Sequence, residues 1–308
     1  MPTLRLATRG SPLALRQTGL VSELLRQAYP DLEVEPLVVR TQGDRDATSP
    51  LDQIGGQGVF VTEVEAAVAE GRAEAAVHSA KDMPSVMPAA LVLGAVPQRA
   101  DPRDGLVGAT LAGLPAGGLV ATGSARRRAQ LAALRPDLVF TDLRGNMARR
   151  VAVGESGEVS AVVVAVAAME RLGWLDKVRD ILDPVDVLPQ AGQGAIAVQC
   201  RADDVRTREL LAALDHEPSR RALRAERAVL ATLGGSCVLP VGAFAEPDAT
   251  GPGLRVSGLL ASGDGHTVIR LTRRGDDPEA AGAAVARALL EGGGAAIDGF
   301  EGLVDPTP

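Results

Sequence analysis

Residues 4–9, Leu-Arg-Leu-Ala-Thr-Arg, alternate between apolar and polar and predict a strand. Ser11-Pro12 follows, offering an N-cap oxygen and a proline for the first helical position. Ala14, Thr18, Val21, Leu25 and Ala28 then recur at helical spacing, and residues 32–41 predict a second strand. Strand, helix and strand at this spacing predict a parallel α/β unit. Residues 42–58 are rich in Gly and Asp, lack periodicity and are long for a connection, so a mobile lid is expected there. Phe60, Val64 and Val68 mark a helix ending near Gly71. Residues 75–78 then form a short apolar strand that delivers Ser79-Ala80-Lys81-Asp82 at its C-terminal end, where open α/β sheets bind ligands. Residues 91–96 predict a further strand.

Asp101-Pro102-Arg103-Asp104-Gly105 reads as a crossing between domains, and a second α/β set follows. Strands are predicted at 119–122, 138–143 and 159–166. Gly123-Ser124 caps a helix carrying Arg126, Arg127 and Arg128, and Arg144-Gly145-Asn146 leads into a short helix with Arg149 and Arg150. Ala191-Gly192-Gln193-Gly194 turns into a strand at 195–199 that is expected to return to the first domain. From Glu217 the pattern changes. Ala222, Ala225, Val229 and Leu233 predict a helix running into Gly234-Gly235-Ser236-Cys237-Val238-Leu239-Pro240, where Pro240 marks the start of the next strand. Strands at 241–245, 254–260 and 267–272 and a helix at 278–290 complete a small α+β domain. The predicted class is α/β in three domains: 1–98 with 195–216, 99–194, and 217–308.

Composition narrows the function. The 308 residues carry a net charge of -7, which argues against a nucleic-acid or anionic-membrane binder. The two cysteines, Cys200 and Cys237, imply no disulfide framework and fit a reducing compartment. Met1-Pro2-Thr3-Leu4-Arg5 lacks the apolar run of a signal peptide, and no stretch is long enough to span a bilayer, so a cytoplasmic protein is expected. Arginine abounds, yet Lys81 and Lys177 are the only lysines, which draws attention to Lys81.

The candidate chemistry lies at element ends. Glycines before Cys237 let the backbone turn sharply and leave a thiol accessible as nucleophile or covalent anchor; a small buried residue in a tight turn is the commoner reading. Arg126 and Arg127 occupy a first helical turn, where positive charge opposes the helix dipole, so they are expected to face an anionic ligand. With Arg9, Arg144, Arg150 and Arg171 they suggest a polyanion rich in carboxylates or phosphates, although any single arginine could be an ordinary solvated side chain. Asp82 beside Lys81 could move protons or hold a cation, or form a strand-end ion pair of little consequence. His78, His216 and His266 lack metal-ligand spacing, and no metal site is expected. Neither Gly55-Gly56-Gln57-Gly58 nor Gly192-Gln193-Gly194 meets a phosphate-loop or dinucleotide pattern.

Taken in order, Ala7-Thr8-Arg9-Gly10-Ser11-Pro12-Leu13-Ala14, Val77-His78-Ser79-Ala80-Lys81-Asp82, Asp101-Pro102-Arg103-Asp104, Leu143-Arg144-Gly145-Asn146, Gly192-Gln193-Gly194-Ala195 and Gly234-Gly235-Ser236-Cys237 resemble the porphobilinogen deaminases, or hydroxymethylbilane synthases. The resemblance covers nearly the whole chain. It implies two periplasmic-binding-protein-like α/β domains plus a small C-terminal α+β domain, in a monomer. It implies a dipyrromethane cofactor joined by a thioether to Cys237, onto which four porphobilinogen molecules are condensed with loss of ammonia before hydroxymethylbilane is released. By this resemblance Asp82 matches the catalytic aspartate. Lys81, Ser124, Arg126, Arg127, Arg144 and Arg150 match cofactor contacts, and Arg9, Ser11, Phe60 and Arg171 match substrate positions. Gln57 departs from the usual lysine of the lid. Two other classes stay open: a solute-binding protein for a polycarboxylate without catalysis, and a cysteine-nucleophile transferase or hydrolase. No base for the latter is evident near Cys237.

Overall fold

A computed structural model describes residues 3–41, 61–234, 239–298 and 300. The lid expected at 42–58, Phe60 and Cys237 lie outside these described residues. The chain forms two compact units, one of Met1–Ala100 with Gly194–Arg220, the other of Asp101–Gln193 with Arg221–Pro308.

The first unit opens with β1 (Thr3–Arg9), α1 (Pro12–Ala28), β2 (Glu33–Val39), α2 (Thr62–Ala69), β3 (Ala75–Ser79) and β4 (Leu91–Ala95). The second follows with β5 (Asp104–Gly108), β6 (Leu119–Ala121), α3 (Ala125–Leu134), β7 (Val139–Thr141), α4 (Met147–Ser156), β8 (Ala161–Ala165), α5 (Val166–Arg171) and β9 (Asp180–Ile181). The chain returns to the first unit with β10 (Ile196–Arg201) and α6 (Val205–Ala212). Helix α7 (Glu217–Thr232) carries it back to the second, which ends with β11 (Val241–Pro247), β12 (Leu254–Ala261), β13 (Val268–Gly275) and α8 (Pro278–Glu291).

Local chemistry sets the element starts. Ser11 caps α1 by accepting the Ala14 N–H at 3.3 Å, and Pro12 supplies the fixed φ of the first turn. Gln17, Thr18, Val21, Ser22 and Leu25 form the buried stripe of α1. Val21 and Leu25 are fully buried, each worth about 1.5–3 kcal/mol of apolar burial. Asp277 caps α8 in the same way, accepting from Ala280. Gly282 then lets α8 approach α7: a Cβ there would stand 2.2 Å from the Ala225 carbonyl oxygen.

The sheets are mixed rather than wholly parallel. In the first, of order β2-β1-β3-β10-β4, β1 pairs parallel with β2 and β3, while β10 enters antiparallel between β3 and β4. The second repeats the scheme as β7-β6-β8-β5-β9, with β6 parallel to β7 and β8, and β5 antiparallel to β8 and β9. In each sheet the reversed strand is the first one laid down after the chain crosses between units, and a strand arriving from another unit need not follow the direction set by a local crossover helix. Strand β5 occupies what the sequence pattern presents as a crossing, and α6 escapes that pattern altogether. The C-terminal sheet is the antiparallel meander β11-β12-β13, with α8 packed on it. Its Leu259 and Ala261 share a core with Ala129 of α3 and Leu188, so 221–308 and 101–193 form one unit.

Candidate active site

In the first unit, β3 is a run of buried residues ending at Ser79, and a single 3-10 turn, Ala80–Asp82, follows it. This turn brings half-buried Asp82 to a cavity also lined by Arg9 at the end of β1, Ser11 and Gln17 of the α1 start, Val61, His78 and Ser79. Asp82 therefore shares one cavity with Arg9 and Ser11, which lie far upstream in sequence; Lys81 lies in the same turn as Asp82. The Ser11 hydroxyl does double duty as helix cap. Gln17 donates to the Ser79 hydroxyl at 2.8 Å, and that hydroxyl faces the Gln17 carbonyl oxygen at 3.1 Å, fixing one wall.

His78 is the titratable group buried behind this wall, 6% exposed. Burial, reinforced by the Arg9 charge and opposed by Gln199, pushes its pKa down to about 4, so its ring is neutral near neutral pH. Gln199 of β10 sits on the same sheet face and donates to Glu65 of α2 at 2.8 Å. His78 Nε2 and Gln199 Oε1 are both buried without a hydrogen-bond partner.

In the second unit, Ser124 caps α3, accepting the Arg127 N–H at 3.4 Å. The side chains of Arg126 and Arg127 do not follow the simple expectation of first-turn arginines facing a ligand. They are 3% and 6% exposed, and both close on Asp104, the fully buried first residue of β5. Arg126 Nη2 donates to Asp104 Oδ2 at 2.7 Å, and Arg127 Nη2 and Nε donate to Oδ1 at 2.7 and 3.0 Å. Gln193 Nε2 adds a bond to Oδ1 at 2.9 Å. Burial opposes ionisation of Asp104, but the two guanidiniums prevail and hold its carboxyl well below the usual range. The positive charges that oppose the α3 dipole are thus countered first by the protein's own carboxylate. Arg126 also donates to the Leu188 carbonyl at 2.5 Å and Arg127 to that of Val163 at 3.1 Å.

Arg144 precedes Gly145, whose φ of 115° is a left-handed value that favours glycine, and Asn146, which caps α4 by accepting from Arg149 at 3.0 Å. Arg144 Nη1 is buried without a hydrogen-bond partner. Arg150 is half-buried and its Nε reaches the Gly145 carbonyl at 3.1 Å. Arg171 ends α5, where burial lowers its pKa to about 10 against the raising effect of Glu170. Lys81, Arg9, Ser11 and Asp82 belong to the first unit, and Ser124, Arg126, Arg127, Arg144, Arg150 and Arg171 to the second.

Sequence reasoning passes over Gln17, Asp104 and Gln193 as site residues and weighs His78 only as a metal ligand, for which it finds no spacing. A signal for Asp104 exists: two adjacent arginines inside a folded unit demand a buried acid, and Asp104 stands in a quoted motif. Gln17 sits on the buried stripe of α1, where a polar residue invites the question of its partner.

The residues suit a carboxylate-bearing group. Two guanidiniums share one carboxylate at Asp104, and a buried donor of Arg144 remains to be satisfied. A family model described as porphobilinogen deaminase, dipyromethane cofactor binding domain, matches residues 4–209, and one for the porphobilinogen deaminase C-terminal domain matches 221–291. A porphobilinogen deaminase of Roseiflexus sp. (strain RS-1) is 46% identical over 300 residues, covering 96% of this chain and 98% of the relative. That of Syntrophobacter fumaroxidans (strain DSM 10017 / MPOB) is 43% identical over 296 residues, covering 94% and 95%. Among solved structures, the methionine-binding protein MetQ aligns at a TM-score of 0.40 and 11% identity, covering 68% of this chain and 88% of that one. By its two matched family domains and its full-length relatives, the chain belongs to the porphobilinogen deaminase family.

Proposed function

We propose that Asp82 is the catalytic residue, that the cavity it shares with Arg9 and Ser11 receives each incoming porphobilinogen, and that Cys237 anchors the cofactor. As a porphobilinogen deaminase family member, the chain is a transferase that condenses porphobilinogen head to tail, with loss of ammonia, on a dipyrromethane cofactor. Phe60 and Arg171 complete the substrate contacts in this reading. Lys81, Ser124, Arg126, Arg127, Arg144 and Arg150 hold the carboxylates of the cofactor. We further read the protein as a cytoplasmic monomer with domains 1–98 and 195–216, 99–194, and 217–308; no helix among the described residues is long and apolar enough to cross a membrane.

The chemistry asks the cavity for two things. Each pyrrole carries acetate and propionate, so a cation must receive them, and Arg9 supplies one beside the Ser11 hydroxyl. Loss of ammonia leaves positive charge on the substrate ring, so a fixed carboxylate must lie beside it. Asp82 meets this need at the pyrrole N–H, where it counters the charge as it develops and can accept a proton within hydrogen-bond reach. It ends the short 3-10 turn, Ala80–Asp82, that follows the buried strand β3. When bound, the dipyrromethane supplies the free pyrrole carbon to which each new ring is joined. The observation that carries this reading is the acid and the arginine meeting in one cavity.

Single-turnover loading with porphobilinogen, read by intact mass, tests it. Asp82→Asn should retain the cofactor mass while its elongation slows by roughly 10²–10⁴-fold, the range for loss of a positioned acid-base group. Elongation at the wild-type rate would remove Asp82 from the mechanism.

A further inference from the structure

Among the described residues, the cluster around Asp104 has an uneven charge count. Two guanidiniums, both nearly inaccessible, face one carboxylate, and the neutral amide of Gln193 is the further side chain on that carboxylate. Gln193 also donates to the Pro102 carbonyl at 2.7 Å, so the amide is anchored and fixes the rotation of the carboxylate. Asp104 itself is held by the β5–β8 ladder, opposite Ala165. The carboxylate consequently presents one oxygen to each arginine in a set direction. Like-charged guanidiniums otherwise repel, and burial strengthens that repulsion.

We propose that Asp104 is a positioning residue for the cofactor: it gathers Arg126 and Arg127 into a preformed cationic fork whose one surplus charge receives a carboxylate of the dipyrromethane. This rests on the reading that the two arginines hold that cofactor. The backbone supports the fork from the far side. Gln130 Nε2 donates to the Leu188 carbonyl at 3.1 Å, Gln130 Oε1 accepts from the Leu188 N–H at 2.7 Å, and Arg126 donates to that same carbonyl. Arg270 of β13 donates to Gln130 Oε1 at 2.8 Å, which ties the fork to the C-terminal sheet, whose strands follow Cys237 in sequence.

Charge and position make opposite predictions for Asp104→Asn. Removing the carboxylate raises the net charge of the cluster, so charge alone would strengthen uptake of an anionic group. Positioning predicts weaker uptake, because the amide leaves a single acceptor oxygen for the two guanidiniums and turns a donor towards one of them. The experiment incubates full-length apo-protein with porphobilinogen over a concentration series and reads the covalent adduct by intact mass, at a temperature where circular dichroism reports each variant folded. Asp104→Asn should need roughly tenfold more porphobilinogen for half-loading, the scale on which residues that orient a binding group act. Asp104→Glu keeps the charge but moves it by one methylene, and should fall between Asn and wild type. Loading of Asp104→Asn at or below the wild-type concentration overturns the proposal. If that variant does not fold, Asp104→Glu decides, and wild-type loading by it has the same consequence. Arg126→Gln and Arg127→Gln separate the two layers. If they load normally, the arginine assignment fails and the proposal with it. If they fail to load while the Asp104 variants load normally, the positioning role alone is lost.

Discussion

The buried imidazole of His78 makes the first unit sensitive to acid by a calculable amount. Its pKa in the fold is about 4, against 6.5 when free. In the window between these values the unfolded chain takes up a proton that the folded chain refuses. The stability due to neutral His78 is therefore complete above 6.5 and is lost progressively as the pH falls towards 4. The limiting loss is about 3 kcal/mol, and the part between about pH 7 and about pH 5 is about 2 kcal/mol. Burial dominates; Arg9 on β1 adds repulsion, and Gln199 on β10, itself bound to Glu65 of α2, offers partial relief. His78→Gln removes the titration while keeping a polar side chain. Urea unfolding, followed by hydrogen exchange in peptides covering β3 and β10, should show wild type losing about 2 kcal/mol more than the variant over that pH interval. All other groups are common to both proteins and cancel from the difference. Parallel losses would refute the reasoning, since they would mean that the folded site accepts the proton as readily as the unfolded chain.

Glu226, fully buried, accepts the Gly192 N–H at 2.7 Å and the Ala245 N–H at 2.8 Å, so Glu226→Gln turns one acceptor into a donor facing a donor. Calorimetry should record a loss of about 1–3 kcal/mol, or roughly 3–10 °C in Tm, and an unchanged Tm would contradict the paired acceptor role. Cys237→Ser should abolish the covalent adduct, whereas Cys200→Ser should keep it. Burial pushes the Cys200 thiol up to about 11, which leaves about one molecule in ten thousand as thiolate at neutral pH. Intact mass decides, and an adduct on a Cys200 peptide would reverse the assignment.

Much of the molecule is legible locally. The Ser11-Pro12 start of α1, the caps at Ser124 and Asn146, and the short apolar strand ahead of Lys81-Asp82 follow from neighbouring residues, because capping and side-chain period act within a few positions. The ordered motifs are likewise sufficient to identify the family, since they are strings of adjacent residues. Pairing between distant segments is not legible in this way. Strand β10 enters the first sheet in reverse after the chain has passed through the second unit, and hydrophobic period carries no strand direction. Gln193 meets Asp104 from 89 positions away, and Gln199 meets Glu65 from 134. The same non-locality governs the arginines. Their sequence position at a helix start says that positive charge is out of place there, but not which anion answers it. Only the tertiary structure, by burying Asp104 at the start of β5 against the first turn of α3, decides that a carboxylate of the chain itself comes first. It likewise decides that His78 stays neutral, because desolvation is a property of everything packed around a ring and not of the residues beside it in sequence.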